Sequence, residues 1–336
     1  MKHIEILDCT LRDGGYVNNW NFGIEPSQEI VNAVCSAGAD YAELGFIRLG
    51  EYEHGKMQFT DMSQVAGLFR PSTHKLAIMV ELGYGYPAEA FPVRSDDTAD
   101  LIRVTIWKRM MSQGVDYCMQ LRNKGYEVGV QATRTDQYSP DEFAEFVRLY
   151  NQVEPKAFYL VDTFGLMDKN MLLSYAKIAD DNLTSEARIG YHAHNNMQQA
   201  VCNAVAFAEH NWNHDLIIDT SVMGIGRGAG NLPEEVFFKY LNEKQNGAYY
   251  ITPLYDVAER HLQPIYERTP WGYSVPYLLS AANGCNPTYV DLFKLRGLTY
   301  IQMLEVFKEM RRQGLGIRYD EQAAADIIAS VIGTTS

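Results

Sequence analysis

The chain is poor in cysteine and has no long apolar run. Its 336 residues include five cysteines, and no two of them form a Cys-x-x-Cys pair. This usage predicts reduced thiols and a cytoplasmic protein rather than a disulfide framework. Glu5 and Asp8 interrupt the apolar stretch at the N-terminus, which argues against a signal peptide. No stretch approaches about 18 uninterrupted apolar residues, so we expect no membrane span.

Positive charge is also scarce. Twenty-nine Lys and Arg stand against 42 Asp and Glu, which gives a net charge of −13, and there is no long basic run. This balance argues against nucleic acid or an anionic membrane as a partner. A small anionic substrate stays compatible with it, because one arginine or one metal ion can reverse the field locally.

Short apolar runs alternate with longer amphipathic runs over the first 245 residues. Eight runs predict strands, at residues 3–8, 41–47, 75–82, 102–107, 127–133, 157–163, 187–194 and 216–222. Several are apolar on both faces, as buried parallel strands are. We therefore predict an α/β fold, a TIM (β/α)8 barrel with a helix after each strand.

The main alternative to a barrel is a doubly wound open sheet. That fold predicts a glycine-rich phosphate turn after the first strand. The stretch RDGGY at residues 12–16 is not such a turn, and the chain has no P-loop. The barrel is therefore favoured.

The pattern changes near residue 250. LYDVAERHLQPIYER and TYIQMLEVFKEMRRQG predict helices, and the stretch between them is irregular and rich in aromatic residues. No strand alternation is left in this part. We predict a catalytic barrel domain over residues 1–250 and a helical C-terminal region over residues 251–336, packed on the barrel.

The stretch HAHNN carries the clearest chemical signal. His192 and His194 are two residues apart in the seventh predicted strand, so both side chains point to one face. Two imidazoles on one face can chelate a divalent cation, and a carboxylate would complete the set. Asp13 is the natural candidate, because barrel closure leaves only strand 8 between strands 1 and 7. The alternative is a pair of histidines that only form hydrogen bonds.

Other candidate residues follow neighbouring strands. Arg12 either forms a surface ion pair or directs positive charge at an oxyanion or a carboxylate. GIGRGAGN at residues 224–231 either cradles a phosphate or turns tightly beside a metal; the second is favoured, with Asn231 kept for chemistry. Glu43 and Glu81 are expected to support the site, with Arg12 as the partner of at least one of them.

Three segments together resemble the DRE-TIM metallolyases, the HMGL-like superfamily. They are DCTLRDGG (8–15), HAHNN (192–196) and GIGRGAGN (224–231), in that order across about 230 residues. The superfamily includes 4-hydroxy-2-oxovalerate aldolase, hydroxymethylglutaryl-CoA lyase and the isopropylmalate and homocitrate synthases. The resemblance implies a divalent metal such as Mn²⁺ or Mg²⁺, with Asp13, His192, His194 and Asn231 as ligands.

The same resemblance implies roles for residues that face the substrate. Arg12 matches an arginine that stabilises the enolate, and Thr163 matches a hydroxyl that contacts substrate, beside the metal ligands Asp13 and His192. The stretch WGYSVPYLLS (271–280) is similar to a tyrosine-bearing segment of the aldolases. It brings either Tyr273 or Tyr277 towards the site.

The sequence does not identify the general base. Tyr16 stands where the similar aldolases carry a catalytic histidine. A phenol with a pKa of about 10 suits neutral pH poorly unless its surroundings shift it. Tyr16 itself, a metal-bound water and a histidine from elsewhere, such as His54, are the alternatives.

The implied activity is that of a metal-dependent aldolase, a C–C lyase. It would cleave a 4-hydroxy-2-oxo acid into pyruvate and an aldehyde, or form it from them. One alternative is a Claisen-type acyltransferase that joins acetyl-CoA to a 2-oxo acid, and another is a non-catalytic barrel. The resemblance also suggests a homo-oligomer and an acylating aldehyde dehydrogenase as partner.

Overall fold

The eight predicted strands form a closed parallel barrel in the computed structural model, which describes residues 2–69, 74–184 and 186–333. The strands are β1 (Ile4–Asp8), β2 (Tyr41–Ile47), β3 (Lys75–Glu81), β4 (Leu101–Trp107), β5 (Glu127–Thr133), β6 (Ala157–Asp162), β7 (Arg188–Ala193) and β8 (Leu216–Thr220). Each strand pairs with the next, and β1 closes the ring by pairing with both β2 and β8. The predicted TIM barrel is confirmed. A two-residue strand, Gln58–Phe59, adds to β2 outside the ring.

Seven helices of more than one turn accompany these strands in the described residues. They are α1 (Ile24–Ala37), α2 (Met62–Phe69), α3 (Met111–Asn123), α4 (Pro140–Tyr150), α5 (Lys169–Asn182), α6 (Ala200–Glu209) and α7 (Glu234–Lys244). Ser139 caps α4 in a reciprocal capping box, as its sequence indicates. Two one-turn helices, Thr10–Asp13 and Gly15–Asn18, follow β1.

The expectation of a helix after every strand is wrong at one place. Between β3 and β4 the chain forms only two short 3₁₀ turns, Leu82–Tyr84 and Ala88–Ala90. This connection carries Gly83 and Gly85, and Pro87 and Pro92 follow. Glycine and proline are the weakest helix formers, so the segment cannot sustain an α-helix.

The C-terminal region is helical, as predicted. Its α-helices are α8 (Thr252–Val257), α9 (Gln263–Arg268), α10 (Val275–Ala282), α11 (Thr288–Leu295), α12 (Tyr300–Gln313) and α13 (Glu321–Ile332). A wide π-type turn, Ala258–Leu262, joins α8 to α9. Pro264 follows directly and cannot donate a backbone hydrogen bond to this turn.

Two hydrophobic cores lie along the chain. The barrel core extends into the C-terminal region as far as Trp271. A second core begins at Cys285 and joins α11, α12 and α13 through residues such as Phe307 and Ile327. The division at residue 250 stays a prediction. All five cysteines are free, and among the described helices none is long and apolar enough to cross a membrane.

Candidate metal centre

The segment after β1 is built to hold two charged side chains at the mouth of the barrel. The carboxylate of Asp8 accepts hydrogen bonds from the amide and hydroxyl of Thr10, which starts the turn that ends at Asp13. The indole of Trp20 then donates to the carbonyl oxygen of Arg12 at 2.7 Å. Gly15 is required here, because a Cβ would lie 2.0 Å from the Trp20 ring. The strand end is thereby locked with Arg12 and Asp13 buried.

The predicted metal ligands meet at this point. Asp13, His192 and His194 each present a ligand atom, and these atoms lie within 4.8 Å of one another. Nε2 of His194 is 3.3 Å and Nε2 of His192 is 4.0 Å from Oδ2 of Asp13. All three side chains are buried. The structure therefore brings together one carboxylate and two imidazoles on one side of the barrel mouth.

In both histidines the outer nitrogen, Nδ1, has a hydrogen-bond partner, whereas the inner nitrogen, Nε2, which faces Asp13, has none. Nδ1 of His192 lies 2.8 Å from the Asp219 carboxylate, and Nδ1 of His194 lies 3.0 Å from the carbonyl oxygen of Asp162. Both partners accept hydrogen bonds, so each Nδ1 carries the proton and each Nε2 keeps its lone pair. Both Nε2 atoms are buried without a hydrogen-bond partner. Buried polar atoms are normally satisfied, so the pair fits a metal ion.

The charges of the site suit a cation. Burial alone would raise the pKa of Asp13, but Arg12 and His194 hold it well below its ordinary value, so the carboxylate is charged. Burial lowers the pKa of His192 to about 4, although the Asp219 carboxylate opposes this shift. His192 is therefore neutral at physiological pH, which is the form that binds a metal.

Asn231 lies against the same carboxylate. Its amide nitrogen donates to Oδ2 of Asp13 at 2.7 Å and to the carbonyl oxygen of Ile225 at 3.3 Å. Its side-chain oxygen is buried without a partner. Gly226 leaves the space for this side chain, because a Cβ there would lie 2.5 to 2.8 Å from the Asn231 amide atoms. The glycine-rich loop after β8 thus serves to pack Asn231 beside Asp13.

Arg12 is held by two acids. One guanidinium nitrogen contacts Asp13, and Nε donates to Glu43 at 2.7 Å. The remaining nitrogen, Nη2, is buried without a partner in the structure. The expectation that Arg12 pairs with at least one of Glu43 and Glu81 is confirmed at Glu43, whereas Glu81 pairs with Arg48.

The sequence analysis did not predict two residues of this centre, Arg103 and Asp219. Arg103 on β4 contacts Glu43 at 2.7 Å and also contacts Asp219 on β8, so an unbroken chain of ionic contacts links Arg12 to His192. The available signal was a single charge inside an otherwise apolar strand, in LIRVTIW and LIIDT. A charge that is buried in a strand needs partners of opposite sign, and here they are the supports of the metal ligands.

Comparison with known proteins identifies the family. The family model described as HMGL-like matches residues 3–259. The chain belongs to the HMGL-like family. A curated relative, an oxaloacetate decarboxylase from Mycobacterium tuberculosis, is 24% identical over 94% of this chain and 88% of its own length. A 4-hydroxy-2-oxovalerate aldolase from Desulfitobacterium hafniense is 24% identical over 93% of this chain and 94% of its own.

Solved structures share the fold of this HMGL-like chain. The N-terminal domain of a Bacteroides vulgatus protein provisionally named an aldolase is 26% identical, with a TM-score of 0.74, over 88% of this chain and all of that domain. The carboxyl transferase domain of Rhizobium etli pyruvate carboxylase gives a TM-score of 0.69 at 10% identity, over 99% of this chain and 62% of that one. The second likeness concerns the fold alone.

In this HMGL-like chain, two further predicted residues line the cavity above the metal ligands. Thr163 does so, and its hydroxyl accepts a hydrogen bond from the amide of Arg134 at 2.8 Å. Tyr16 stands at the rim with 38% of its surface exposed, and its ring packs on Trp20 and Phe46. The protein around its hydroxyl and the charge of Glu81 raise the pKa of Tyr16 to about 12.

The C-terminal tyrosines lie farther out. Tyr277 lines a neighbouring cavity, which Tyr16 also borders, and its hydroxyl donates to Asp291 at 3.4 Å. Tyr273 is 58% exposed and lines neither cavity. His54 is exposed and does not line them either. Among the described residues the structure therefore brings Tyr16, but not Tyr273 or His54, to the metal centre.

Proposed function

We propose that this chain is a divalent-metal-dependent aldolase that cleaves a 4-hydroxy-2-oxo acid into pyruvate and an aldehyde, and that joins the two in reverse. The observation that carries the proposal is the set of unpartnered inner atoms: Nε2 of His192, Nε2 of His194 and Nη2 of Arg12. The two Nε2 atoms offer lone pairs that suit a metal ion, and Nη2 of Arg12 is a guanidinium donor that no protein acceptor uses. Relatives named 4-hydroxy-2-oxovalerate aldolase support the same activity.

Asp13, His192, His194 and Asn231 would hold the metal. Two imidazoles beside a carboxylate favour Mn²⁺ over Mg²⁺, since Mg²⁺ prefers oxygen ligands. When bound, a divalent ion acts as a Lewis acid on the 2-oxo acid and lowers the energy of its enolate.

Arg12 would stabilise the developing negative charge. Contacts with Asp13 and Glu43 fix its guanidinium, so little reorganisation is needed when the enolate forms. Thr163 offers a hydroxyl in the same cavity, and we propose that it orients the substrate. The chain of ionic contacts through Arg103 fixes the positions of Arg12 and His192 relative to each other.

Tyr16 would act as a hydrogen-bond donor rather than as a resting base. With a pKa of about 12, its phenol keeps its proton at neutral pH. The proton of a 4-hydroxyl group must then leave to another acceptor. This observation favours a second candidate function, the decarboxylation of a 2-oxo acid with a carboxylate on C3. In that reaction the bond to CO2 breaks and no hydroxyl proton is removed, and one relative is named oxaloacetate decarboxylase.

An assay with Mn²⁺-loaded protein separates the candidates. We expect pyruvate and an aldehyde in equal amounts from 4-hydroxy-2-oxopentanoate. Pyruvate and CO2 from oxaloacetate, with no cleavage of the hydroxy acid, would establish decarboxylation instead. Release of CoA from acetyl-CoA in the presence of a 2-oxo acid would establish the acyltransferase.

Ligand variants test the site itself. Asp13→Ala and His192→Ala should lose metal and activity together, as measured by elemental analysis and pyruvate release. Metal retained at full occupancy in both variants would refute the ligand assignment, and no turnover of any oxo acid by metal-loaded protein would refute the aldolase. A homo-oligomer, a dehydrogenase partner and a cytoplasmic location stay predictions.

A further inference from the structure

Arg227 is a cavity arginine without an acidic partner. It lies in the loop after β8 and lines the metal cavity together with Arg12. The other arginines near the mouth are neutralised: Arg12 contacts Asp13, and Arg48 contacts Glu81. No carboxylate of the described residues forms an ion pair with Arg227. Asp291 lines the neighbouring cavity with Arg227 but forms no ion pair with it, so the charge of Arg227 is available to a ligand.

Neutral groups fix the position of this guanidinium. Nη2 donates to the side-chain oxygen of Asn286 at 2.6 Å and to the hydroxyl of Thr288 at 2.7 Å. Its central carbon lies 5.4 Å from the centre of the Tyr16 ring. In the described part of the chain, Nε and Nη1 donate to no protein group. Nη2 is thus anchored, and Nε and Nη1 each keep an N–H that can donate a charge-assisted hydrogen bond to a ligand.

The placement of Arg227 separates it from the reacting end of the substrate. Arg12, Asp13 and the two histidines lie together at the strand ends, whereas Arg227 and Tyr16 border both the metal cavity and the neighbouring cavity under the C-terminal helices. A 2-oxo acid with its keto group at the metal would direct its far end towards this border. The protein has a net charge of −13, so a positive charge without an ion pair at this border contrasts with the overall charge of the molecule.

We propose that Arg227 binds a carboxylate at the far end of the substrate, so that the substrate is a dicarboxylic 2-oxo acid. The cleavage reaction rests on the proposed function, whereas the binding of the far carboxylate by Arg227 does not. On cleavage, the C3–C4 bond of the hydroxy acid breaks and its electron pair stays on C3 as the enolate of pyruvate. The 4-hydroxyl proton passes to water and C4 becomes an aldehyde, which keeps the far carboxylate beside Arg227. A proton from water then adds to C3 of the enolate and gives pyruvate.

The competing role for Arg227 is a purely structural link between the barrel and the C-terminal helices. A structural link would affect all ligands alike, whereas a carboxylate site affects only those with a second carboxylate. Thr288→Val separates the two roles, because it removes one contact of the link and keeps the charge of Arg227. Arg122→Gln makes the same change in net charge at an exposed arginine away from the cavity.

Binding to Mn²⁺-loaded protein tests the proposal without turnover. The probes are 2-oxoglutarate and 2-oxopentanoate, which have equal chain length and differ by a carboxylate in place of a methyl group. Calorimetry should show 2-oxoglutarate binding at least about tenfold more tightly, as a charge-assisted hydrogen bond to Arg227 provides. Arg227→Gln should reduce this ratio to below about threefold, while Thr288→Val and Arg122→Gln keep it. Equal affinities in the unchanged protein, or an equal loss for both acids in Arg227→Gln, would overturn the proposal.

Steady-state kinetics give a second, independent test. The ratio of kcat/KM for 4-hydroxy-2-oxoglutarate over 4-hydroxy-2-oxopentanoate should be high in the unchanged protein and near one in Arg227→Gln. A high binding ratio with no cleavage of either acid would refute the proposed aldolase and support the carboxylate site. Cleavage of both acids at similar rates, with equal binding, would support the aldolase and refute the carboxylate site.

Discussion

At the residue scale, the centre depends on which nitrogen of each histidine is free. Asp219 and the carbonyl of Asp162 hold the Nδ1 atoms, and this leaves the Nε2 atoms buried, unpartnered and near Asp13. An acceptor on the outer nitrogen fixes the tautomer and raises the basicity of the inner one. Asp219 should therefore act through His192 without touching the metal.

Asp219→Asn should weaken Mn²⁺ binding by about 10- to 100-fold, because an amide oxygen is a weaker acceptor than a carboxylate for the proton on Nδ1 of His192. Calorimetric titration of the metal-free protein measures the change. Asp180→Asn is the matched control, since Asp180 contacts Nδ1 of the buried His214 at the same distance, 2.8 Å, away from the mouth. Equal metal affinity in Asp219→Asn and the unchanged protein would show that the support is not needed.

Arg12→Gln should separate catalysis from metal binding. The variant removes the positive charge next to the reacting oxygen, so we expect kcat to fall by about 100- to 1,000-fold. Metal affinity should not fall, because Asp13 loses a competing partner. Arg48→Gln, at the arginine that pairs with Glu81, is the control and should leave kcat within about threefold. Loss of metal in Arg12→Gln would assign Arg12 to the support of Asp13 instead.

The residues found from sequence are those at strand ends. His192 and His194 stand out because their spacing puts them on one face, and Asp13 follows from barrel closure. Asp219 and Arg103 were missed, because a lone charge in an apolar strand does not say which partner neutralises it. That depends on which side chains face each other across the barrel, and a sequence without its fold does not give this.

At the element scale, a glycine in the loop after β8 gives Asn231, a proposed metal ligand, room to lie beside Asp13. Gly226 has an ordinary backbone conformation, so its role is to leave room for the Asn231 amide. Gly226→Ala should push this amide away from Asp13 and weaken Mn²⁺ binding by roughly tenfold, with a change in Tm of only a few degrees. Calorimetry and thermal denaturation measure the two effects.

Gly83→Ala is the control for this loop variant. The nearest atom to a Cβ at Gly83 is the Met110 sulfur, at 3.7 Å, which is an ordinary contact. Metal affinity should stay unchanged in this variant. Unchanged affinity in Gly226→Ala as well would mean that Asn231 does not support the metal.

The strands were predicted to within two residues because buried parallel strands form apolar runs with clear ends. The β3–β4 connection was predicted wrongly, since the expectation came from the repeat of the fold and not from its own glycines and prolines. Which tyrosine of WGYSVPYLLS faces the barrel depends on how α10 packs, and the sequence left it open. Tyr277 borders the neighbouring cavity, and Tyr273 is exposed.

At the scale of the whole molecule, a buried acid pair makes stability depend on pH. Asp8 on β1 and Glu234 at the start of α7 are both buried, and each affects the pKa of the other. Burial raises the pKa of Asp8 to about 7, against the opposing hydrogen bonds from Thr10, and it raises the pKa of Glu234 well above its ordinary value. The fold favours the protonated forms, so the free energy of unfolding should fall as pH rises from about 4 through about 7.

Glu234→Gln should remove much of this dependence. At pH 8 the amide can donate to Asp8 and no second charge is buried, so we expect Tm to rise by roughly 2 to 4 °C. At pH 5 the pair is already neutral, and Tm should stay unchanged. Glu145→Gln removes an exposed charge and should leave the pH profile as it is. A parallel shift of Tm at both pH values would exclude the coupling of the two acids as the cause.

The central claim is that a metal held by Asp13, His192 and His194 acts with Arg12 to form the enolate of pyruvate. Exchange of the pyruvate methyl protons for deuterium in D2O, followed by mass spectrometry, tests it most directly, because it requires no aldehyde. Mn²⁺-loaded protein should catalyse the exchange. Removal of the metal should abolish it, and Arg12→Gln should slow it by about 100- to 1,000-fold. Absence of exchange with the metal bound, or undiminished exchange in Arg12→Gln, would contradict the account.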